Sequence, residues 1–125
     1  MPEIIQTYDP ALGEPDIRAG CQAALRLFEE HPEVTAIFTY NDLLAIGAIK
    51  ACKELDRAVP GEGQIAGFDD IPFSASVYPP LTTIRVDQYG MGRLAVKRLL
   101  DMMQNPEETY PPVYVDIELV IRESA

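Results

Sequence analysis

Short apolar runs rich in β-branched residues alternate along this chain with longer stretches of helical periodicity, and that alternation limits the fold more than any other feature. Thr35–Tyr40, Gln64–Phe68, Leu81–Val86 and Val113–Ile121 have the length and composition of strands. Between them, Ile17, Cys21, Ala24, Leu25 and Phe28 recur at helical spacing. A second helix is expected from Asn41-Asp42 to about Leu55, and a third over Tyr89–Met103. Ile4–Tyr8 is a further short strand candidate. His31-Pro32 ends the first helix, because the residue before proline avoids the helical region. Strands separated by helices of this length imply β-α-β units. The expected fold class is therefore α/β, with three α/β/α layers around a mostly parallel sheet.

Its 125 residues suit one domain able to bury a core without a metal or disulfide. Charge then narrows the function. Twenty acidic residues against ten basic ones give a net charge of -10, and the cations are scattered. Nucleic-acid binding draws its affinity from Lys and Arg neutralising phosphates, so this chain alone is expected to repel DNA. Cys21 and Cys52 fall among apolar neighbours inside helices, which predicts buried, reduced thiols. No cofactor or metal is expected from the residue spacings. No secretory start or membrane-length apolar run is apparent, and the expected location is the cytoplasm.

Enzymatic readings find little support. His31 is the one histidine and sits at a helix end, where its charge suits the dipole. No nucleophile elbow, phosphate loop or metal motif is present. Asp69-Asp70 lacks the second acidic pair of a phosphoacceptor site. Gly90-Met91-Gly92 lies at a helix start rather than between strand and helix.

In parallel sheets, ligands gather outside the carboxyl ends of strands. Asn41-Asp42 and Asp69-Asp70 fall at two such ends, which points to a small-molecule site. Asn41 is a strong helix N-cap in its own right, and Asp42 suits the positive end of that helix. Asp69 can serve as a turn residue or as an acceptor for ligand hydroxyls or a ring N–H. Asp70 is expected to anchor the irregular Ile71–Pro80 loop.

The order and spacing of several segments resemble the effector domain of the lactose-repressor/galactose-repressor family. They are Thr35-Ala36-Ile37-Phe38, Asn41-Asp42-Leu43-Leu44-Ala45-Ile46-Gly47-Ala48, Val59-Pro60, Ile65-Ala66-Gly67-Phe68-Asp69-Asp70 and Pro80-Leu81-Thr82-Thr83-Ile84. A helix with Gly92 and Leu99-Leu100-Asp101 follows. The similarity runs from about Gly13 onward.

The resemblance implies one lobe of a type I periplasmic-binding-protein-like fold, with residues 1–125 as the C-terminal part of an effector-binding and dimerisation domain. Most of the first lobe and the DNA-reading headpiece would lie outside it. It further implies a sugar-like or nucleobase effector held by Asp69 and Asn41, and control of DNA through the headpiece. Pro15 falls where the family often carries an aromatic that stacks on the ligand, and Tyr40 and Phe68 are candidates to supply that surface. Val86 stands where a polar contact sometimes occurs. The family forms dimers, and the matching surface here would be Leu43, Ile46 and Lys50 with Val77 and Tyr78. The Tyr89–Met103 helix would normally pack on the first lobe, and is expected to repack on its own lobe or on another copy. Two other readings compete: a sugar-binding protein of a transport system, and a free-standing dimerisation module.

Overall fold

The computed structural model describes residues 14–125. The Ile4–Tyr8 strand candidate lies outside them. The elements in order are α1 (Ile17–Glu30), β1 (Ala36–Phe38), α2 (Asp42–Glu54), β2 (Gln64–Asp69), a short 3-10 turn (Pro72–Ala75), β3 (Thr82–Val86), α3 (Gln88–Gln104) and β4 (Ile117–Val120). The sheet order is β1-β2-β3-β4. The first three strands run parallel, and β4 returns antiparallel beside β3. This is the mostly parallel α/β sheet that the alternating pattern predicts.

Each helix begins where a side chain can take a free amide. The Asp16 carboxylate accepts from Ala19 N at 2.7 Å to start α1. Asn41 Oδ1 accepts from Leu44 N at 2.9 Å to start α2, and Asp87 Oδ1 accepts from Gly90 N at 2.8 Å to start α3. Beyond its cap, α1 buries Cys21, Ala24, Leu27 and Phe28, while Leu25 is only half-buried.

The core lies between one face of the sheet and the α1–α2 pair. It joins Cys21, Ala24 and Phe28 to Ala45, Ile46, Ala48, Ile49, Ala51, Cys52, Ile65 and Leu81. The two helices approach closely because Gly20 and Gly47 stand at their crossing. A side-chain carbon on Gly20 would strike the backbone of Leu44, and one on Gly47 the backbone of Ile17 and Cys21. Both cysteines are buried and unpaired, and burial pushes both thiols up.

The opposite sheet face departs from the expected third layer. Ile65, Gly67 and Thr83 are buried toward α2, so the alternating residues Phe38, Phe68 and Ile84 take the other face. No described helix covers that face, and Phe38 is 66% exposed. The expectation that α3 repacks on its own lobe is also not met, since none of its 17 residues is buried. What α3 does hold is the loop after it. Tyr110 Oη donates to the Asp101 carbonyl at 2.7 Å, and Arg98 Nη1 donates to that of Pro111 at 2.7 Å.

The chain end closes the sheet from its other margin. Ser124 is fully buried, its hydroxyl donating to Ile65 O at 2.6 Å and accepting from Thr82 N at 2.8 Å. It therefore bonds to residues of two neighbouring strands. No helix among the described residues is long and apolar enough to cross a membrane.

Candidate functional site

Parallel register brings the two predicted strand ends together. Phe38 pairs with Ala66, so Asn41 and Asp69 each stand three residues beyond that pair, on adjacent strand ends. The start of α1 joins them, because Asn41 Nδ2 donates to the Pro15 carbonyl at 3.2 Å. Pro15 and Asn41, both predicted site residues, are thus in direct contact. With Oδ1 committed to the Leu44 amide, the Asn41 side chain works as the structural cap that its residue type suggests, with one N–H and one lone pair to spare. Thr39 Oγ1 donates to Asn41 O at 2.7 Å and steadies the same turn. Tyr40 is 80% exposed beside it, and Phe68 is half-buried on the uncovered sheet face.

Asp69 is the residue at this edge whose side chain is uncommitted. No described residue donates a hydrogen bond to its carboxylate. Its φ is 111°, and that of Asp70 is 51°. Such backbone persists where the surroundings over-determine it, and it recurs at functional turns. Burial pushes the Asp69 carboxyl above the ordinary carboxylate range, and the nearby Asp42 pushes it in the same direction.

Asp70, one residue on, is fully committed. Its carboxylate accepts from Arg122 Nη2 at 2.6 Å and from Arg85 Nε at 2.7 Å, and Arg85 also reaches Glu118 Oε2 at 3.0 Å. Burial raises its pKa, but the bonds and charges of Arg122 and Arg85 outweigh that and hold it below the usual value. Asp70 is thus structural, but it anchors its own turn to β3 and to the segment after β4 rather than holding the Ile71–Pro80 loop.

The residue that sequence reasoning underrated is Asp42, which is 0% exposed. Its Oδ2 accepts from Ile71 N at 2.9 Å and from Ser74 Oγ at 2.6 Å, and its Oδ1 from Thr83 Oγ1 at 2.5 Å. Gly67 leaves room for it, since a side-chain carbon there would collide with Oδ1. The Asn41-Asp42 pair after a strand marks a helix start, but its partners lie 29 to 41 positions away and carry no local signal.

The predicted dimer residues separate into two groups. Lys50 is exposed and pairs with Glu54 at 3.7 Å, Leu43 is partly exposed, and Tyr78 is 90% exposed. Ile46 is a correction: it is 9% exposed and belongs to the core. Its helix is covered on more than one side, by α1 and by the sheet, and Ile71 and Val77 of the following loop pack on the same cluster. Val77 is accordingly half-buried. A concavity lined by α3 residues alone, from Gln88 to Leu100, contains none of the strand-end residues. It is the flank of an exposed helix rather than a binding cleft. Among the described residues, no group of three His, Cys, Asp or Glu side chains could hold a metal ion.

Comparison with known proteins adds to this geometry. The family model described as "Periplasmic binding protein-like domain" matches residues 4–125. The HTH-type transcriptional repressor CytR of Escherichia coli (strain K12) is 37% identical over 114 residues, covering 91% of this chain and 33% of the repressor. A LacI family transcriptional regulator from Arthrobacter sp. FB24, solved in complex with lactose, is 32% identical with a TM-score of 0.77. The match covers 89% of this chain and 42% of that one. The lac repressor dimer bound to operator and the anti-inducer ONPF matches at 29% identity and a TM-score of 0.80, over 87% of this chain and 38% of that one. The chain spans about a third of the length of the curated relatives it matches.

Proposed function

This chain belongs to the periplasmic-binding-protein-like domain family, in the form carried by LacI/GalR-type regulators, and from that premise we propose that it is the effector-sensing and dimerising part of such a regulator. On this reading residues 1–125 form the C-terminal portion of the effector domain. They take a sugar or nucleobase at the edge formed by the ends of β1 and β2, and they act on DNA only through a headpiece outside this sequence. The protein is then a cytoplasmic, non-catalytic homodimer that needs no cofactor.

The observation that carries the reading is Asp69: a carboxylate with no donor among the described residues, on a turn of positive φ, at the end of a parallel strand. A carboxylate in that position accepts hydrogen bonds from ligand hydroxyls or a ring N–H. Asn41 has one N–H and one lone pair left for the same ligand, and exposed Tyr40 offers a ring to pack on it. Pro15 contributes an apolar surface without a π face. The ligand would act by binding one arrangement of the domain more tightly than another, since equal affinity for both would shift nothing.

Calorimetric titration of the full natural chain with lactose, ribose and the nucleobase adenine tests this. One of the three is expected to bind, and Asp69→Ala is expected to weaken it by about 10- to 100-fold, the worth of a charge-assisted hydrogen bond, with the fold intact by circular dichroism. Absence of binding by all three, or unchanged affinity in a folded Asp69→Ala variant, would overturn the reading.

A further inference from the structure

We propose that Asp42 is a positioning residue for the effector site: its buried carboxylate clamps the chain on both sides of Asp69 and holds that side chain out toward the ligand. The inference rests on the effector-site reading of Asp69 and adds a residue that would not itself touch the ligand.

The clamp is visible in its partners. Asp69 sits between Gly67 and Ile71, two positions to either side. On the upstream side, Gly67 lies against Asp42, and its register partner Thr83 donates to Asp42 Oδ1. On the downstream side, the Ile71 amide and the Ser74 hydroxyl both donate to Asp42 Oδ2. The stretch from Gly67 to Ser74 thus packs at its upstream end on one fully buried carboxylate at the first turn of α2, which is bonded there to the paired strand, and is hydrogen-bonded to it downstream. Asp70 supplies a second tether through Arg85 and Arg122, leaving Asp69 as the free side chain of a turn fixed on every side. Positive φ at two successive non-glycine residues needs such support, because relaxed chains avoid it.

Asp42 is more than a structural anchor, because its charge also acts on Asp69. Four carboxyl or guanidinium groups bear on this turn besides Asp69 itself: Asp42 from α2, Asp70 beside it, and, through Asp70, Arg85 of β3 and Arg122 of the tail. Of these, Asp42 works with burial to raise the Asp69 pKa. Removing the Asp42 charge therefore moves the Asp69 titration down, which an uncharged scaffold contact would not do.

The test uses Thr83→Val, Thr83→Ser and Asp42→Asn in the full natural chain, with two measurements. The first is affinity for whichever of lactose, ribose or adenine binds the parent. The second is the carbon-13 NMR titration of the Asp69 carboxyl without ligand. Thr83→Ser keeps the hydroxyl and is expected to bind like the parent, while Thr83→Val loses about tenfold in affinity, on the scale of a mispositioned contact group. Asp42→Asn is expected to lose at least as much and to lower the Asp69 midpoint. Parent-like affinity in folded Thr83→Val, or an unmoved Asp69 midpoint in Asp42→Asn, overturns the proposal. If Asp42→Asn does not fold, Thr83→Val against Thr83→Ser still decides it. If none of the probes binds the parent, the effector-site reading fails by itself, and the Asp69 midpoint alone then decides whether Asp42 governs Asp69.

Discussion

Ser124 and Ile65 exchange two hydrogen bonds although 59 positions separate them: the Ser124 hydroxyl donates to the Ile65 carbonyl at 2.6 Å, and the Ile65 amide donates to the Ser124 carbonyl at 2.8 Å. The same hydroxyl accepts from Thr82 N, so a single buried oxygen serves both β2 and β3. Ser124→Ala would leave the Ile65 carbonyl and the Thr82 amide without this partner in a site closed to water. A loss of about 1–3 kcal/mol is expected by urea denaturation, the usual cost of a stranded buried group. A change below about 0.5 kcal/mol would mean that water replaces the hydroxyl.

The neighbouring aspartates at the end of β2 should respond to pH in opposite senses. Asp70 has a depressed folded pKa, so its contribution to stability is present above the ordinary carboxylate value and is lost as pH falls through the folded value. Asp70→Asn is therefore expected to destabilise at neutral pH and to converge with the parent in acid. Asp69 has a raised folded pKa, so its ionisation costs stability above that value, and the cost disappears as pH falls. Asp69→Asn, which tolerates the same positive φ, should gain stability at neutral pH while losing ligand affinity. Denaturation midpoints between pH 3 and 7 separate the two, and parallel profiles would contradict both assignments.

Ile46 and Tyr78 should part company when truncated. Ile46→Ala removes a buried core side chain and is expected to cost about 2–5 kcal/mol of folding stability. Tyr78→Ser removes an almost fully exposed ring, and its effect on monomer stability is expected to stay within about 0.5 kcal/mol. If the exposed part of the predicted surface pairs two copies, Tyr78→Ser and Leu43→Ser lower the sedimenting mass at micromolar concentration. Unchanged mass in both would remove that surface from the interface.

Local pattern in the sequence reaches as far as local physics does. The three helices, the cap at Asn41 and the strand cores all follow from periodicity and residue type. The strands are shorter than their apolar runs where a neighbour is missing. Thr35–Tyr40 narrows to Ala36–Phe38 beside β2, and Val113–Ile121 to Ile117–Val120, the part that faces Thr83–Val86. The place of Asp69 at the end of β2 is legible because strand ends are local. The burial of Asp42 is not, since its donors come from Ile71, Ser74 and Thr83 and meet only in the fold. Ile46, expected at a subunit surface, is core for a related reason: its helix is covered on more than one side, by α1 and by the sheet, which only the fold shows.

The helix caps have a consequence for selectivity. Free amides at a helix start ordinarily draw phosphate and sulfate. Here α1 and α2 begin side by side at the strand ends, and α3 begins where β3 stops. In each, one of those amides is already taken by the chain's own Asp16, Asn41 or Asp87. Asp69 adds a bare negative charge to the same margin. If this edge takes the effector as proposed, the Asp69 charge favours a neutral polyol or base over its phosphorylated counterpart.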